Sequence, residues 1–566
     1  MLAFYRMFIF RKIQEFFYSR QTDILSAALI LGSSALVSRV LGLIRNWVLA
    51  DNFAVEEISI FFAAFRFPET FFEILVLGSL SSAFIPTFVS YLSRKKEEEG
   101  WKITGIVLNL TLGIFVILSA LVFAFSLPIS RLIAPGFAEA EILLMSRLTR
   151  ILIFSQGFFV ISFFLTGALK SYQRFVVPAL APVLYNLGII GATLLFARSW
   201  GIYAPVWGAV IGAFLHFGVQ VPLSIRLGFR PVWSLNLNHP GVKRIIRLAA
   251  PRLAEIGFLQ ILKTSEVIFA SLISTASFTY LTFARSLEMI PVSLFGLSLA
   301  DAALPALSRR GRNFKKTFFS VFRQILFLTL PMAVAFAVLR IPLVRLAFGA
   351  SRFTWPSTVE TGYTLSMFAL GVIGQALTLH FVRAFYALQD TDTPVVVGIA
   401  DVILNVALYA YFAIVLQLPT WGLALAFAIS ALAQAAVLGV LLIRKAKLAL
   451  KEFVIPGLKT GFAALASGSV MYFLLKVLDR SAWDKNLSFL GRLAVPEPWP
   501  EFVLDTRYTA NLIILTAIVF LVGMGVYLLL CRLLRVEEVG IISQVWRRIP
   551  TFSKVKVPPA SIENGR

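Results

Sequence analysis

The chain has 566 residues, 58% of them hydrophobic and only 14% charged, with 53 Phe and a net charge of +23; its mean hydropathy is +0.84. A soluble protein of this size carries about a quarter charged residues, so the composition specifies a membrane protein. A single cysteine, Cys531, excludes an internal disulfide, His216, His239 and His380 lack the spacing of a zinc or haem site, and no G-x-x-x-x-G-K-[ST] loop is present to hydrolyse nucleotide.

Apolar runs of about 20 residues recur along the chain, too long for core helices or for the roughly 10-residue strands of an outer-membrane barrel. In lipid each run must be a helix that satisfies its own backbone, so the expected fold is an all-α polytopic membrane protein. Residues 1–23 read as a cytoplasmic segment in which Phe4 to Tyr18 form an interfacial amphipathic helix, and the following run is too long for a cleaved signal peptide. Fourteen spans follow, at 24–49, 58–92, 103–128, 147–169, 177–198, 202–225, 244–273, 276–308, 317–346, 361–388, 394–417, 420–443, 456–478 and 510–531. The run 58–92 is long for one span, and Pro68 and Gly78 mark where it can bend. Residues 479–509, with Pro496, Pro498 and Pro500, read as an irregular external loop, and 536–566 as a cytoplasmic tail.

Lys and Arg collect in alternate connections, among them Arg94, Lys95 and Lys96, then Lys170 and Arg174, Arg309 and Arg310, and Arg444, Lys445 and Lys447. The positive-inside rule makes those connections and both termini cytoplasmic. The excess charge is therefore mainly orientation and attraction to anionic lipid head groups, and nucleic acid is not an expected partner.

Two stretches of the chain echo each other at a shift of roughly 216 to 219 residues. Gly167 to Arg174 followed by Pro178 resembles Arg383 to Asp390 followed by Pro394, so that Gln173 falls on Gln389; Gly78-Ser79-Leu80 leading to Pro86 resembles Gly296-Leu297-Ser298 leading to Pro305. An even number of spans separates the copies. The expected organisation is two parallel, pseudo-symmetric six-helix lobes, 24–230 (spans 1–6) and 231–445 (spans 7–12), followed by spans 13 and 14 within 446–535.

An ionisable side chain near the bilayer centre costs on the order of 3 kcal/mol, so each one needs a partner, a wet cavity or a function. Arg39 and Arg45 in span 1, Arg66 in span 2 and Arg285 in span 8 form an excess of guanidinium groups suited to bidentate recognition of phosphate. Local pairing is the alternative: Arg285 with Glu288, Arg252 with Glu255 and Lys263 with Glu266 are each three apart, and Arg66 lies two turns from Glu73 on one face, where water can bridge them. Glu266 in span 7, and Asp401 with Asn405 one turn apart in span 11, are candidate oxygen ligands for Na⁺ or a proton relay. Pairing of Glu266 with Lys263, or an interfacial place for Asp401, is the alternative.

Ser38 to Arg45, Phe65 to Pro68 with Gly78 to Pro86, Gly167 to Pro182 ending at Asn186, Phe283 to Arg285 through Gly296 to Arg309, and Tyr386 to Pro394 together resemble the MurJ (MviN) lipid II flippases of the multidrug/oligosaccharidyl-lipid/polysaccharide exporter superfamily. The resemblance implies a bacterial inner-membrane protein that carries lipid-linked peptidoglycan precursor to the periplasmic leaflet. It further implies two lobes around a cationic cavity, with spans 13 and 14 forming a groove for the lipid tail. By position, Arg39, Arg45 and Arg285 match cavity arginines of the family, Glu266 and Asn405 match sodium-ligand positions of some members, and Glu288 matches an acid of span 8. Glu69, Phe72, Leu77 and Tyr409 replace an asparagine, an arginine, a glutamate and an acid of the family pattern; Arg66 and Asp401 are the possible substitutes.

The expected activity is alternating-access transport by a monomer with no covalent chemistry, no catalytic residue and no cofactor beyond Na⁺ or H⁺. The rivals are an exporter of another polyprenyl-linked glycan, a drug antiporter, which an arginine-rich cavity disfavours by repulsion of cations, a membrane glycan polymerase or ligase, and a non-transporting scaffold whose arginines are all paired.

Overall fold

A computed structural model describes residues 24–77, 83–231, 233–309, 314–480 and 503–540, with 24–29, 77 and 249–255 confined to the backbone. The stretch Phe4 to Tyr18, the segment Gly78-Ser79-Leu80, the pair Arg252 and Glu255, the middle of the external loop and the tail beyond 540 lie outside this description.

The described chain is helical, apart from one isolated bridge between Asp479 and Leu504 that joins the two ends of the external loop. The helices are α1 (Ile24–Asn52), α2 (Val55–Phe72), α3 (Ile85–Leu92), α4 (Glu97–Ala124), α5 (Ser126–Ile133), α6 (Glu139–Ser171), α7 (Val176–Trp200), α8 (Tyr203–Gly218), α9 (Val221–Arg226), α10 (Pro240–Ile273) and α11 (Ser277–Pro291). They continue as α12 (Ser298–Ser308), α13 (Phe314–Val338), α14 (Arg340–Phe348), α15 (Trp355–Ala387), α16 (Asp392–Ala410), α17 (Trp421–Ala446), α18 (Lys451–Leu478) and α19 (Thr509–Leu533). Among the described residues 12 helical stretches are long and apolar enough to cross a membrane, and they coincide with expected spans 3 to 14. Helices α1 and α2 form where spans 1 and 2 are expected, but α1 carries Arg39 and Arg45, and α2 carries Glu56, Glu57, Arg66 and Glu69.

The expected single run over 58–92 is interrupted. After α2 the backbone widens into a π-helical segment, Glu73–Leu77, and the apolar run resumes in α3. Pro68 sits inside α2; the widened turn begins five residues further on, as happens where an inserted residue shifts the i→i−4 ladder. A second π-helical segment, Val292–Leu297, follows α11 at the repeat-related place, and a third, Tyr411–Val415, follows α16. The expected span 317–346 is likewise two helices, α13 and α14, separated at Leu339.

The repeat is visible in the backbone. Gln173 has φ 58° and Gln389 φ 60°, a left-handed conformation that side chains other than glycine adopt at a cost. In each turn the next residue reaches back to an equivalent carbonyl, Arg174 N to Leu169 O at 2.9 Å and Asp390 N to Phe385 O at 3.0 Å. This closes α6 and α15 in the same Schellman-type cap, and the next helix carries proline at its third position in both copies, Pro178 and Pro394.

Two compact units emerge. The first comprises residues 1–290, 340–371 and 391–434. Its core includes an aromatic cluster of Phe72, Phe84, Phe88, Trp101, Phe115, Phe164 and Tyr172. Within it α7 and α8 touch backbone to backbone: a Cβ on Gly188 would lie 2.5 Å from Gly212 Cα, the close approach that small residues permit between membrane helices. The second unit comprises 291–339, 372–390 and 435–566. There Tyr527 Oη donates to Phe327 O at 2.8 Å and Ser467 Oγ to Gly523 O at 2.7 Å, while Arg323 holds Glu538 at 2.8 Å and Glu537 at 3.0 Å.

Candidate substrate and ion site

All eight residues singled out for the site lie in the first unit. Arg39, the sixteenth residue of the 29-residue helix α1, is exposed and donates from Nη1 to the carbonyl of Met289 on α11 at 3.3 Å. Six residues on, Arg45 is half-buried. Its Nε and Nη2 lie 3.2 and 3.1 Å from Asn46 Oδ1, and its Nη1 lies 3.3 Å from Asn186 Oδ1 on α7. Asn186 in turn donates to Ser38 Oγ at 3.3 Å. Neutral amide oxygens therefore hold Arg45, and among the described residues no carboxylate lies within ion-pair distance of it.

Arg285 is held differently. Its Nη2 donates to both oxygens of Glu266, at 2.9 and 2.8 Å, and its guanidinium carbon lies 4.8 Å from the Phe368 ring centre and 4.6 Å from that of Phe427. This corrects two expectations from spacing: Arg285 pairs across helices with Glu266 rather than with Glu288, and it is neutralised. Side chains of a helix lean toward its N-terminus, and a facing helix offers better bidentate geometry than a neighbour three residues along. Glu288 is fully buried, at 0% exposure, beside the Met289 carbonyl that Arg39 reaches.

Arg66 is buried on α2. It donates to Thr70 Oγ1 at 2.9 Å and to Gln260 on α10, with Glu69 at 3.8 Å. Gln260 donates onward to Glu73, whose two oxygens also take Lys263 Nζ at 2.8 and 2.7 Å. The water bridge expected between Arg66 and Glu73 is thus a side-chain amide, and Lys263 pairs with Glu73 rather than with Glu266. Gln260 carries no charge and has no sequence signal that singles it out.

Asp401 accepts from Ser430 on α17. Asn405, one turn on, is 1% exposed, and its Oδ1 is buried without a hydrogen-bond partner. Tyr409, in place of the family acid, is 1% exposed with its ring 6.2 Å from Phe269. Phe72, in place of a family arginine, packs against Phe163 at 5.0 Å and Phe159 at 5.8 Å, so that position belongs to the apolar core. Among the described residues no three His, Cys, Asp or Glu side chains converge so that they could hold a metal ion.

At the end of the unit where α1 finishes and α2 begins, four contacts tie segment 24–230 to segment 231–445. Ser351 donates from N and Oγ to Asp51 Oδ1 at 3.2 and 2.8 Å, and Thr279 Oγ1 to Val55 O at 2.7 Å. Thr275 Oγ1 donates to Glu141 at 2.9 Å, and Gly136 N to Ser271 Oγ at 3.3 Å. A Cβ on Gly136 would fall 2.1 Å from the Ser271 carbonyl, so the approach needs glycine.

A bundle of lipid-length helices with guanidinium and carboxylate groups set between them defines a polytopic membrane protein of the transporter class. The family model described as "Lipid II flippase MurJ" matches residues 53–494, and the chain belongs to that family. The probable lipid II flippase MurJ of Rhizobium meliloti is 30% identical over 408 residues, 67% of this chain and 73% of the relative. That of Vibrio cholerae is 30% identical over 418 residues, 69% of this chain and 78% of the relative. Among solved structures, a lipid II flippase MurJ in an inward closed conformation aligns with TM-score 0.71 at 23% identity, over 88% of this chain and 98% of the other. An inward-facing multidrug resistance MATE family transporter of the MOP superfamily aligns with TM-score 0.60 at 13% identity, over 74% of this chain and 98% of the other. The all-helical transporter fold expected from the sequence is therefore shared with both.

Proposed function

We propose that the protein moves lipid II, the undecaprenyl-pyrophosphate-linked peptidoglycan precursor, from the cytoplasmic to the periplasmic leaflet of the bacterial inner membrane. It works by alternating access between lobes 24–230 and 231–445, as a monomer with both termini cytoplasmic. The observation that carries the reading is Arg45, a half-buried guanidinium held only by amide oxygens at a position matching a family cavity arginine. Amide oxygens orient a cation without neutralising it, which leaves its charge available to a phosphate.

The pyrophosphate engages Arg39 and Arg45 while the polyprenyl tail stays in hydrocarbon throughout, and no covalent step is needed. At Arg285 the incoming anion competes with Glu266 for one guanidinium. A carboxylate displaced in this way is free to take a proton or, with Asn405 Oδ1, a sodium ion. The orphaned amide oxygen suits a cation, and the chemistry such a cation supplies is charge compensation of a released Glu266. Arg66 and Asp401 are the residues that take over polar positions the family pattern places elsewhere. The contacts of Asp51, Val55, Gly136 and Glu141 are, in this reading, the closed outward side.

Depletion of the protein in its native cell, with lipid II measured separately in each leaflet, tests the proposal. Precursor trapped on the inner side supports a flippase. Precursor reaching the outer side with polymer lost supports a glycan polymerase instead and overturns the reading.

A further inference from the structure

Between α4 and α6, in the first unit, lies an open apolar groove of about 600 Å³, lined by Leu112, Phe115, Val116, Phe123, Phe154 and Gly157 among others. From Leu112 to Phe123 it follows eleven helical steps, about 16 Å at 1.5 Å per residue, close to half of a roughly 30 Å hydrocarbon core. The groove thus has the depth of one leaflet. Val116 and Phe154 are 61% and 58% exposed along it, as expected where a lipid chain replaces protein neighbours.

Its upper end carries a cation. Arg150 lies on the α6 face that descends through Phe154 and Gly157, level with the end of α4, and its guanidinium carbon is 5.3 Å from the ring centre of Phe123, the last groove residue. Nε donates to Ser126 Oγ at 2.7 Å, and that oxygen also accepts from Ser146 at 2.9 Å. This hydrogen bond and the ring fix the guanidinium plane, and its two terminal amino groups take no other partner among the described residues. Arg150 precedes Lys170, the cation in the last turn of α6, by 20 residues, about 30 Å; that is one hydrocarbon thickness, so with Lys170 at one membrane face Arg150 lies at head-group depth on the other.

We propose that this groove and Arg150 form a binding site for an anionic phospholipid of the leaflet on the Glu139 side, with the phosphodiester on the terminal amino groups of Arg150 and one acyl chain laid from Phe123 to Leu112. The charge at one end and the leaflet-length apolar trough at the other match the two ends of that molecule. Gly157 keeps the trough open: a Cβ there meets only the edge of Phe115 at 3.5 Å, and a longer side chain would run into the groove.

The test places the full chain in phosphatidylcholine nanodiscs with a trace of phosphatidylglycerol bearing a photoactivatable diazirine in mid-chain, and maps the label by mass spectrometry. Label concentrated on 112–123 and 153–161 is expected, reduced at least threefold by Arg150→Gln and by Gly157→Leu, and retained in Arg150→Lys. A melting curve shows whether each variant is folded, and the two substitutions act at opposite ends, so one suffices if the other does not fold. Label spread evenly over lipid-facing helices overturns the site. So does equal labelling by a phosphatidylcholine probe, displacement by a polyprenyl phosphate but not by phosphatidylglycerol, or labelling unchanged by both variants.

Discussion

Arg285 donates to both carboxylate oxygens of Glu266, at 2.8 and 2.9 Å, while its guanidinium rests against the rings of Phe368 and Phe427. Removing one member of such a pair leaves the other charge poorly compensated, at a cost of about 3–5 kcal/mol when buried. Glu266→Ala is expected to lower the melting temperature of the purified protein markedly, and Glu266→Ala with Arg285→Ala to recover part of the loss. Additive losses in that cycle would show that the pair is not coupled.

Arg45 predicts the opposite balance. Its partners are the amide oxygens of Asn46 and Asn186, so Arg45→Ala leaves two buried acceptors without this donor but no orphaned charge. A stability loss of about 1–3 kcal/mol is expected, smaller than that of breaking the Arg285–Glu266 pair, with loss of lipid II movement in the leaflet-resolved assay. Normal movement in that variant removes Arg45 from the substrate path.

The unpartnered oxygen of Asn405 gives a ligand-dependent melting experiment. If a cation binds there, Na⁺ in place of a large organic cation raises the melting temperature of the native protein by the mass-action term, and Asn405→Leu abolishes the rise. If nothing binds, Asn405→Leu simply stabilises by about 1–2 kcal/mol, because an unsatisfied buried polar group is removed, and sodium has no effect on either protein.

Asp51 and Ser351 are in hydrogen-bond contact, so replacing both with cysteine is expected to allow oxidative cross-linking. The natural cysteine, Cys531, is buried and should not interfere. A cross-link that halts transport until reductant is added supports a closed face that must open in each cycle; full transport while cross-linked rejects it.

At the matched turns, Gln173→Gly and Gln389→Gly are each expected to stabilise by about 0.5–1 kcal/mol, since glycine removes the cost of a left-handed side-chain residue. Unchanged or lower melting temperatures would show that the glutamine side chains hold those turns by contacts of their own.

Spans 3 to 14 were legible because lipid demands an unbroken apolar run, and that demand is written residue by residue. The repeat was legible for a related reason: Gln173, Pro178, Gln389 and Pro394 mark a cap that must recur wherever the same turn recurs. The widened segments Glu73–Leu77 and Val292–Leu297 were not, because one inserted residue leaves the apolar pattern intact. The candidate arginines could be named from the cost of charge in lipid, but not their partners. Spacing sees only neighbours on one helix, whereas Arg285 finds Glu266, Arg66 finds Gln260 and Lys263 finds Glu73 across helices.

The twin left-handed glutamines have one more use. Because the same cap closes two helices in a single polypeptide, a perturbation applied to one has an internal control in the other, expressed, inserted and extracted together. A difference in behaviour between Gln173 and Gln389 would then measure how far the duplicated halves have diverged in their mechanical duties, with no need for a second protein.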